Sequence, residues 1–325
     1  MDASLLDPLY QAFDWLQELV FEHAVLPAAV KLGVSGYAEF LFNGTGVFLV
    51  GCIEVLLLLA LVRPLELWRP VERWADRRAV RTDVLYTLIH RLGLVPLLMF
   101  FALRVPIEAL DGWLRMQGFV PPNLEDLIPG LNASPLAAFF VYLLALDLAE
   151  YWHHRLQHRF GWWWSLHALH HSQREMTLWT DDRNHLLDDV IAQGWFALVA
   201  LLIGVPSGQF VALVVAGRMI ESLSHANVRM SFGAIGEKLL VGPRYHRLHH
   251  AIGIGHEGRA RGCNFAAVFP LWDIVFGTAR FDRDYHATGV RDQLAGRDYG
   301  ESFLRQQWLG LKRLIGVDRT RIVRG

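Results

Sequence analysis

The chain has 325 residues, 53% hydrophobic and only 19% charged, with mean hydropathy +0.25, a membrane profile that excludes an ordinary soluble domain. A formal net charge of -1 removes the electrostatic case for nucleic acid. The two cysteines, Cys52 and Cys263, form no C-x-x-C pair, which excludes thiolate clusters and a disulfide framework.

No cationic stretch precedes a short apolar core at the N-terminus, so no cleaved secretory signal is expected. Tyr10 to Lys31 alternates apolar and polar residues at helical period and predicts a helix able to lie on a membrane surface, within an N-terminal segment 1–44. Transmembrane helices and loops are expected over 45–134. Gly46 to Val62 is an apolar run with one acid, Glu54, and predicts the first span. Val84 to Leu103 predicts the second, with His90 and Arg91 near its start and a kink at Pro96. Pro135 to Trp152 predicts the third and runs into a histidine cluster. Asp189 to Val205 and Gln209 to Ala216, separated by Gly204, Pro206 and Gly208, predict a helical hairpin that either spans twice or dips in and returns. The expected fold is all-α: a polytopic transmembrane bundle of about four spans, or three plus a hairpin, with a helical cap carrying a histidine-rich dimetal site. The region 135–280 carries the chemistry, and 281–325 reads as a polar, Arg-containing tail.

Arg63, Arg69, Arg73, Arg77, Arg78 and Arg81 lie between the first two predicted spans, against Arg115 and several acids in the next loop. Basic loops stay cytoplasmic, and counting crossings from there delivers all the histidine clusters to the cytoplasmic side. Those clusters are His154 with His158, His167 with His170 and His171, and His246 with His249 and His250. Residues three or four apart share a helix face, so each cluster can aim its rings at one point. Neutral imidazole binds iron, zinc, copper or nickel, and eight such groups exceed the set that fills one tetrahedral site. Two metal ions are therefore expected rather than one.

The ordered motifs Glu150-Tyr151-Trp152-His153-His154-Arg155, His158-Arg159, His167-Ala168-Leu169-His170-His171-Ser172, Tyr245-His246-Arg247-Leu248-His249-His250, Asn264-Phe265 and Trp272-Asp273-Ile274-Val275-Phe276-Gly277-Thr278 resemble the fatty acid hydroxylase superfamily, also called the sterol desaturase family, over about 145–278. The resemblance implies an integral-membrane, non-haem di-iron enzyme that uses O2 and two electrons to hydroxylate or desaturate a lipid such as a sterol or fatty acyl lipid. It also implies ligand roles for His185, in Arg183-Asn184-His185, and His225, in His225-Ala226-Asn227. Zinc is a possible substitute for iron. No flavin, haem or iron–sulfur motif is visible, so a separate donor, a ferredoxin or cytochrome with its reductase, is implied.

Metal-bound imidazoles donate their second N–H to a carboxylate or carbonyl; Asp147, Glu150, Asp188, Asp189 and Asp273 are the expected partners, with Asn227 of the His-x-Asn element. His153 is adjacent to a candidate ligand and faces another way, and His256 reads as a loop or substrate contact. His23, His90 and His286 read as structural or surface groups. Trp162, Trp163 and Trp164 read as an interfacial belt. Gly253-Ile254-Gly255-His256-Glu257-Gly258 fits G-x-G-x-x-G but lacks a βαβ context and is set aside. A membrane metal-binding or transport protein without redox catalysis is the alternative, and it would favour histidines within the spans rather than just past their ends. A former enzyme that only binds lipid is the other.

Overall fold

The computed structural model describes residues 7–73, 77–205, 207–258 and 261–317. Among them the regular structure is helical, with one isolated β-bridge between Ala251 and Thr288. α1 (Asp7–Val20) passes through a π turn into α2 (Leu26–Lys31) and leaves Tyr10, Trp15 and Leu19 exposed, an apolar surface suited to a membrane interface. Gln17 Nε2 donates to Phe42 O at 2.9 Å and fixes α1 against α3 (Ala38–Leu57). α3 continues through Leu58–Val62 into α4 (Arg63–Trp68), making one apolar unit, Ser35–Trp68, of 34 residues. The predicted Gly46 to Val62 run lies inside it. At about 1.5 Å rise per residue this unit is longer than a roughly 30 Å hydrocarbon layer, so one end projects beyond it.

The second predicted span is broken. α5 (Arg78–Arg91) stops before Gly93, whose φ of +91° ends the helix, and α6 (Leu94–Met116) restarts after it. Pro96 causes no kink, because it sits in the first turn of α6, where a missing N–H is harmless. The two pieces still run back alongside α3: an added Cβ at Gly51 would meet Arg91 O at 1.6 Å, one at Gly44 would meet Leu97 Cδ2 at 3.2 Å, and the Arg104 guanidinium lies 5.9 Å from the Phe40 ring. α5 buries Asp83, Thr87, His90 and Arg91, so side-chain bonds rather than lipid satisfy that face.

After α7 (Leu124–Leu127), Ser134 caps α8 (Pro135–Arg159), which runs unbroken past Trp152 to carry His154 and His158. α9 (Gly161–His171) follows at once. α10 (Leu186–Ile203) ends at Gly204 in the left-handed conformation (φ +62°), whose carbonyl accepts from Tyr142 OH at 3.1 Å. α11 (Ser207–His225) completes the predicted hairpin; Pro206 lies outside the described residues. Among the described residues, three helices are long and apolar enough to cross a membrane: Ser35–Trp68, Pro135–Arg159 and Leu186–Ile203.

α12 (Gly233–Leu239), α13 (Pro243–His249) and α14 (Leu271–Val275) are short. The expected polar tail is instead structured: α15 (Phe303–Leu314) packs on α9 and α5, with Phe303 4.8 Å from the Tyr86 ring. Leu304, Trp308 and Leu311 are exposed, while Gln306, Gln307 and Arg313 make the polar bonds of its inner face.

Gly51 is the tightest helix crossing in the molecule's membrane half. Gly51→Ala should cost at least the 1–3 kcal/mol typical of overpacking, roughly, because backbone rather than a side chain must yield. A thermal-shift measurement in detergent should register a large drop in Tm or loss of monodisperse protein; an unchanged Tm would contradict the crossing.

Candidate metal centre

The last turn of α8 delivers His154 and His158 on one face, and α9 delivers His167, His170 and His171. α11 ends on His225, while α13 supplies His246 and His249 and is closed by His250. These rings gather into two buried quartets, His154, His158, His171 and His249 in the first and His170, His225, His246 and His250 in the second, each with its ligand atoms within 4.8 Å of one another. The quartets touch: the His171 and His250 rings stack with centroids 4.3 Å apart. His167 borders the first, its Nε2 3.2 Å from His171 Nε2.

Ring orientation is set from outside. His154 Nδ1 donates to Phe265 O at 2.8 Å, His249 Nδ1 to Cys263 O at 2.7 Å and His158 Nδ1 to Arg261 O at 3.1 Å. Three alternate carbonyls of one loop, 261–265, thus hold three rings of the first quartet. In the second, His225 Nδ1 donates to Glu221 O at 2.8 Å. A carbonyl only accepts, so each of these rings carries its proton on Nδ1 and offers a bare Nε2 lone pair inward.

The Nε2 atoms of the quartets face one another. Nε2···Nε2 separations are 3.1 Å for His158–His171 and His170–His225, 3.0 Å for His225–His246 and 3.2 Å for His246–His250. The Nε2 atoms of His154 and His249 have no hydrogen-bond partner. Burial first, and neighbouring imidazoles second, hold His170, His171, His246, His249 and His250 well below the ordinary histidine range, so they are neutral at pH 7. Converging neutral donors repel unless a cation lies between them. A metal–nitrogen bond of about 2.0–2.1 Å implies a tetrahedral edge of about 3.4 Å, close to the spacing found, so each quartet fits one metal ion.

The loop is itself clamped. Arg261 and Asn264 adopt left-handed φ values of 57° and 58°. Asn264 Nδ2 donates to Tyr245 O and Arg280 O, and Asp273 accepts from the Phe265 and Ala266 amides at 2.8 and 2.9 Å, from Thr278 Oγ1 at 2.6 Å and from Tyr245 OH at 3.0 Å. Asp147 accepts from the Val268 and Phe269 amides at 2.8 and 2.9 Å. Neither acid bonds an imidazole of the quartets, which corrects the expected direct contact: both hold the backbone that holds the rings.

Other expectations shift in the same way. Asp189 accepts from His90 Nε2 at 2.9 Å and so bonds a structural histidine of α5 rather than a ring of the quartets. Asn227 bonds both backbone groups of Glu72 and so fastens the Arg-rich segment after α4, not a ring. Glu150 lies 3.6 Å from His153 Nδ1. The acids beside cluster rings are Asp188, 3.4 Å from His167 Nδ1, and Asp181, 3.6 Å from His225 Nδ1. Sequence reasoning missed Asp181, whose one visible signal is the Asp181-Asp182 pair just before Arg183.

His185 lies outside both quartets. Its Nδ1 accepts from the Leu187 amide at 3.1 Å, capping α10, and its Nε2 donates to Gln307 O at 2.9 Å, so both nitrogens are occupied. Arg183 of the same element donates to Asp83 Oδ1 at 2.7 Å and Leu169 O at 3.2 Å, tying α9 to α5. Trp162 alone of the three tryptophans is exposed; Trp163 Nε1 donates to Asp188 at 2.6 Å and Trp164 lies 4.9 Å from the His158 ring and 5.3 Å from His256.

A cavity of about 130 Å3 opens on the flank opposite the loop, between α8, α10 and α11. His154, His167, His170, His225 and His246 border it, with carboxyls from Glu150, Asp181, Asp188, Asp189 and Glu221.

Residues 139–278 match the fatty acid hydroxylase family, and this stretch is a fatty acid hydroxylase domain. The chain is 30% identical to the alkylglycerol monooxygenase of Homo sapiens over 227 residues, 59% of this chain and 48% of that protein. It is 25% identical to a very-long-chain aldehyde decarbonylase of Oryza sativa subsp. japonica, over 58% of this chain and 63% of that protein. It is also 25% identical to a methylsterol monooxygenase of Arabidopsis thaliana, over 63% of this chain and 69% of that one. The chain spans about half the length of the alkylglycerol monooxygenases of Homo sapiens and Danio rerio that it matches (48% and 46%). No solved structure matches it.

Asp273→Asn removes a carboxylate that four donors share, and should weaken metal binding by about 10–100-fold, the usual effect of losing support behind a ligand; metal titration of chelator-stripped protein reads this directly. A second outcome follows from the neutral histidines. Their protons are taken up on unfolding below the unfolded pKa of about 6.5, so their contribution is complete above that pH and is lost progressively as pH falls from there toward the depressed folded values. The Tm of metal-stripped protein should drop between pH 7.5 and 5.5, and a flat profile would contradict buried neutral rings.

Proposed function

We propose that the chain is a membrane-bound lipid monooxygenase holding two iron ions, one in each histidine quartet, with His167 bordering the first. The observation that carries this reading is the pair of buried quartets with converging Nε2 atoms. Imidazole-bound iron supplied with O2 and two electrons oxidises an unactivated C–H bond, and the balance is R–H + O2 + 2e⁻ + 2H⁺ → R–OH + H2O.

The protein's part is positional. The carbonyls of Arg261, Cys263 and Phe265 fix three rings before any ion arrives, so little reorganisation accompanies binding. Asp188 and Asp181, 3.4 Å from His167 Nδ1 and 3.6 Å from His225 Nδ1, place negative charge beside rings on the cavity side. Buried walls keep bulk water from the reacting carbon. Because α8 and α10 are span candidates and border the cavity, a lipid can approach sideways from the bilayer. Electrons come from a separate ferredoxin or cytochrome with its reductase.

The histidine end faces the cytoplasm in this reading. Arg69, Arg73, Arg77, Arg78 and Arg81 follow the first span, and their segment is tied to the site by Arg229 N donating to Arg69 O at 2.7 Å and Arg247 pairing with Glu72 at 2.8 Å. Hydroxylation is favoured over desaturation because relatives are monooxygenases. An alkylglycerol and a methylsterol are the first substrates to test, since relatives named for them match this chain.

Iron-loaded protein in lipid nanodiscs, given a reductase–ferredoxin pair and 18O2, should return the label in a lipid alcohol. His249→Ala should bind less iron and lose turnover. Lipid alcohol carrying oxygen from water, or turnover independent of His249, would overturn the proposal.

A further inference from the structure

The cavity between α8, α10 and α11 is far smaller than the roughly 300–1,000 Å3 that encloses a whole drug-sized ligand; at about 130 Å3 it has room for a headgroup-sized moiety. Its lining includes five acidic residues and no lysine or arginine. Three of the acids already have partners: Asp181 with Arg91 at 3.0 Å, Asp188 with Trp163 at 2.6 Å and Asp189 with His90 at 2.9 Å. Glu150 and Glu221 face the remaining space.

His153 is the unexplained group. It is 3% exposed, lines the cavity, and neither ring nitrogen has a hydrogen-bond partner. Glu150 Oε1, at 3.6 Å from Nδ1, is too far for a hydrogen bond. The ring also lies beside aromatics, with centroids 5.2 Å from Trp163, 6.3 Å from Trp195 and 6.0 Å from Phe196. A buried imidazole left unsatisfied on both sides is costly, and a bound polar group is the usual remedy.

We infer that this cavity binds the hydroxyl-bearing headgroup of an uncharged lipid, with His153 as its anchor and Glu150 accepting a hydroxyl hydrogen. A hydroxyl can both donate to a carboxylate and bond an imidazole nitrogen. A phosphate or carboxylate headgroup would meet acids on several sides and no lysine or arginine in the lining. Both quartets reach the cavity through His154, His170, His225 and His246, so the carbon next to such a headgroup lies nearest the metals, and the chain stays in the bilayer. The inference rests on the lipid-oxidising reading for its substrate but concerns binding, which can be measured without turnover.

The probes are a 1-O-alkylglycerol, its 2,3-di-O-methyl derivative and its phosphate monoester, bound to zinc-loaded protein in nanodiscs and followed by displacement of the radiolabelled diol. The diol should bind at least about tenfold more tightly than either derivative, the change expected from one or two hydrogen bonds. His153→Phe, which keeps the aromatic packing, should lose about that factor for the diol alone and leave the metal content unchanged. His153→Asn and Glu150→Gln give independent checks: the first should recover part of the affinity, and the second should weaken the diol and not the dimethyl ether. Equal or tighter binding of the phosphate, or equal losses for diol and dimethyl ether in His153→Phe, would overturn the inference. Selective binding of the diol without oxidation in the iron-loaded assay would instead overturn the monooxygenase reading and leave this one standing.

Discussion

The structure depends on eight buried imidazoles whose Nε2 atoms converge on two points. Left alone, such an arrangement is repulsive and desolvated, so the rest of the protein must impose it. The imposition is a hierarchy of hydrogen bonds: rings are held by carbonyls of the 261–265 loop, the loop by Asp273, Asn264 and Asp147, and those side chains by α13, α14 and α8. Carbonyl rather than carboxylate partners keep the rings neutral while fixing their tautomer. The site is therefore built as backbone geometry first and side-chain chemistry second.

Charge is handled separately from orientation. Neutral rings would not compensate the charge of a metal held in either quartet, and the acids on the cavity flank supply negative charge without entering the quartets. Arg91 regulates that flank. It donates to Asp181, Asp182 and Ser222 and reaches Glu54 of the first span at 3.5 Å. Glu54 is 0% exposed and also meets Arg218 of α11 at 3.3 Å. An acid in an apolar span is expensive unless paired, and here pairing welds α3, α5 and α11 around the centre.

The histidine spacings and the first and third spans were legible because each is a local pattern of side chains. His154 and His158, or His246 and His250, must share a helix face whatever surrounds them. The loop was not legible, because its functional atoms are main-chain carbonyls that any residue carries. Asp189 and Asn227 were misplaced for a different reason: their partners, His90 and Glu72, are 99 and 155 positions away, and proximity in sequence to a cluster says little about which neighbour an acid chooses. The broken second span shows two helix breakers competing. Pro96 drew attention, yet Gly93 breaks the helix, since only the latter adopts a conformation that a helix cannot. α15 stayed hidden because its packed face is polar and its apolar face is outward.

Adjacent residues are divided between the two quartets twice over, His170 from His171 and His249 from His250. One turn of α9 and one of α13 each serve both quartets, so the two sites cannot rearrange independently: a shift of either segment that opens one of them disturbs the other.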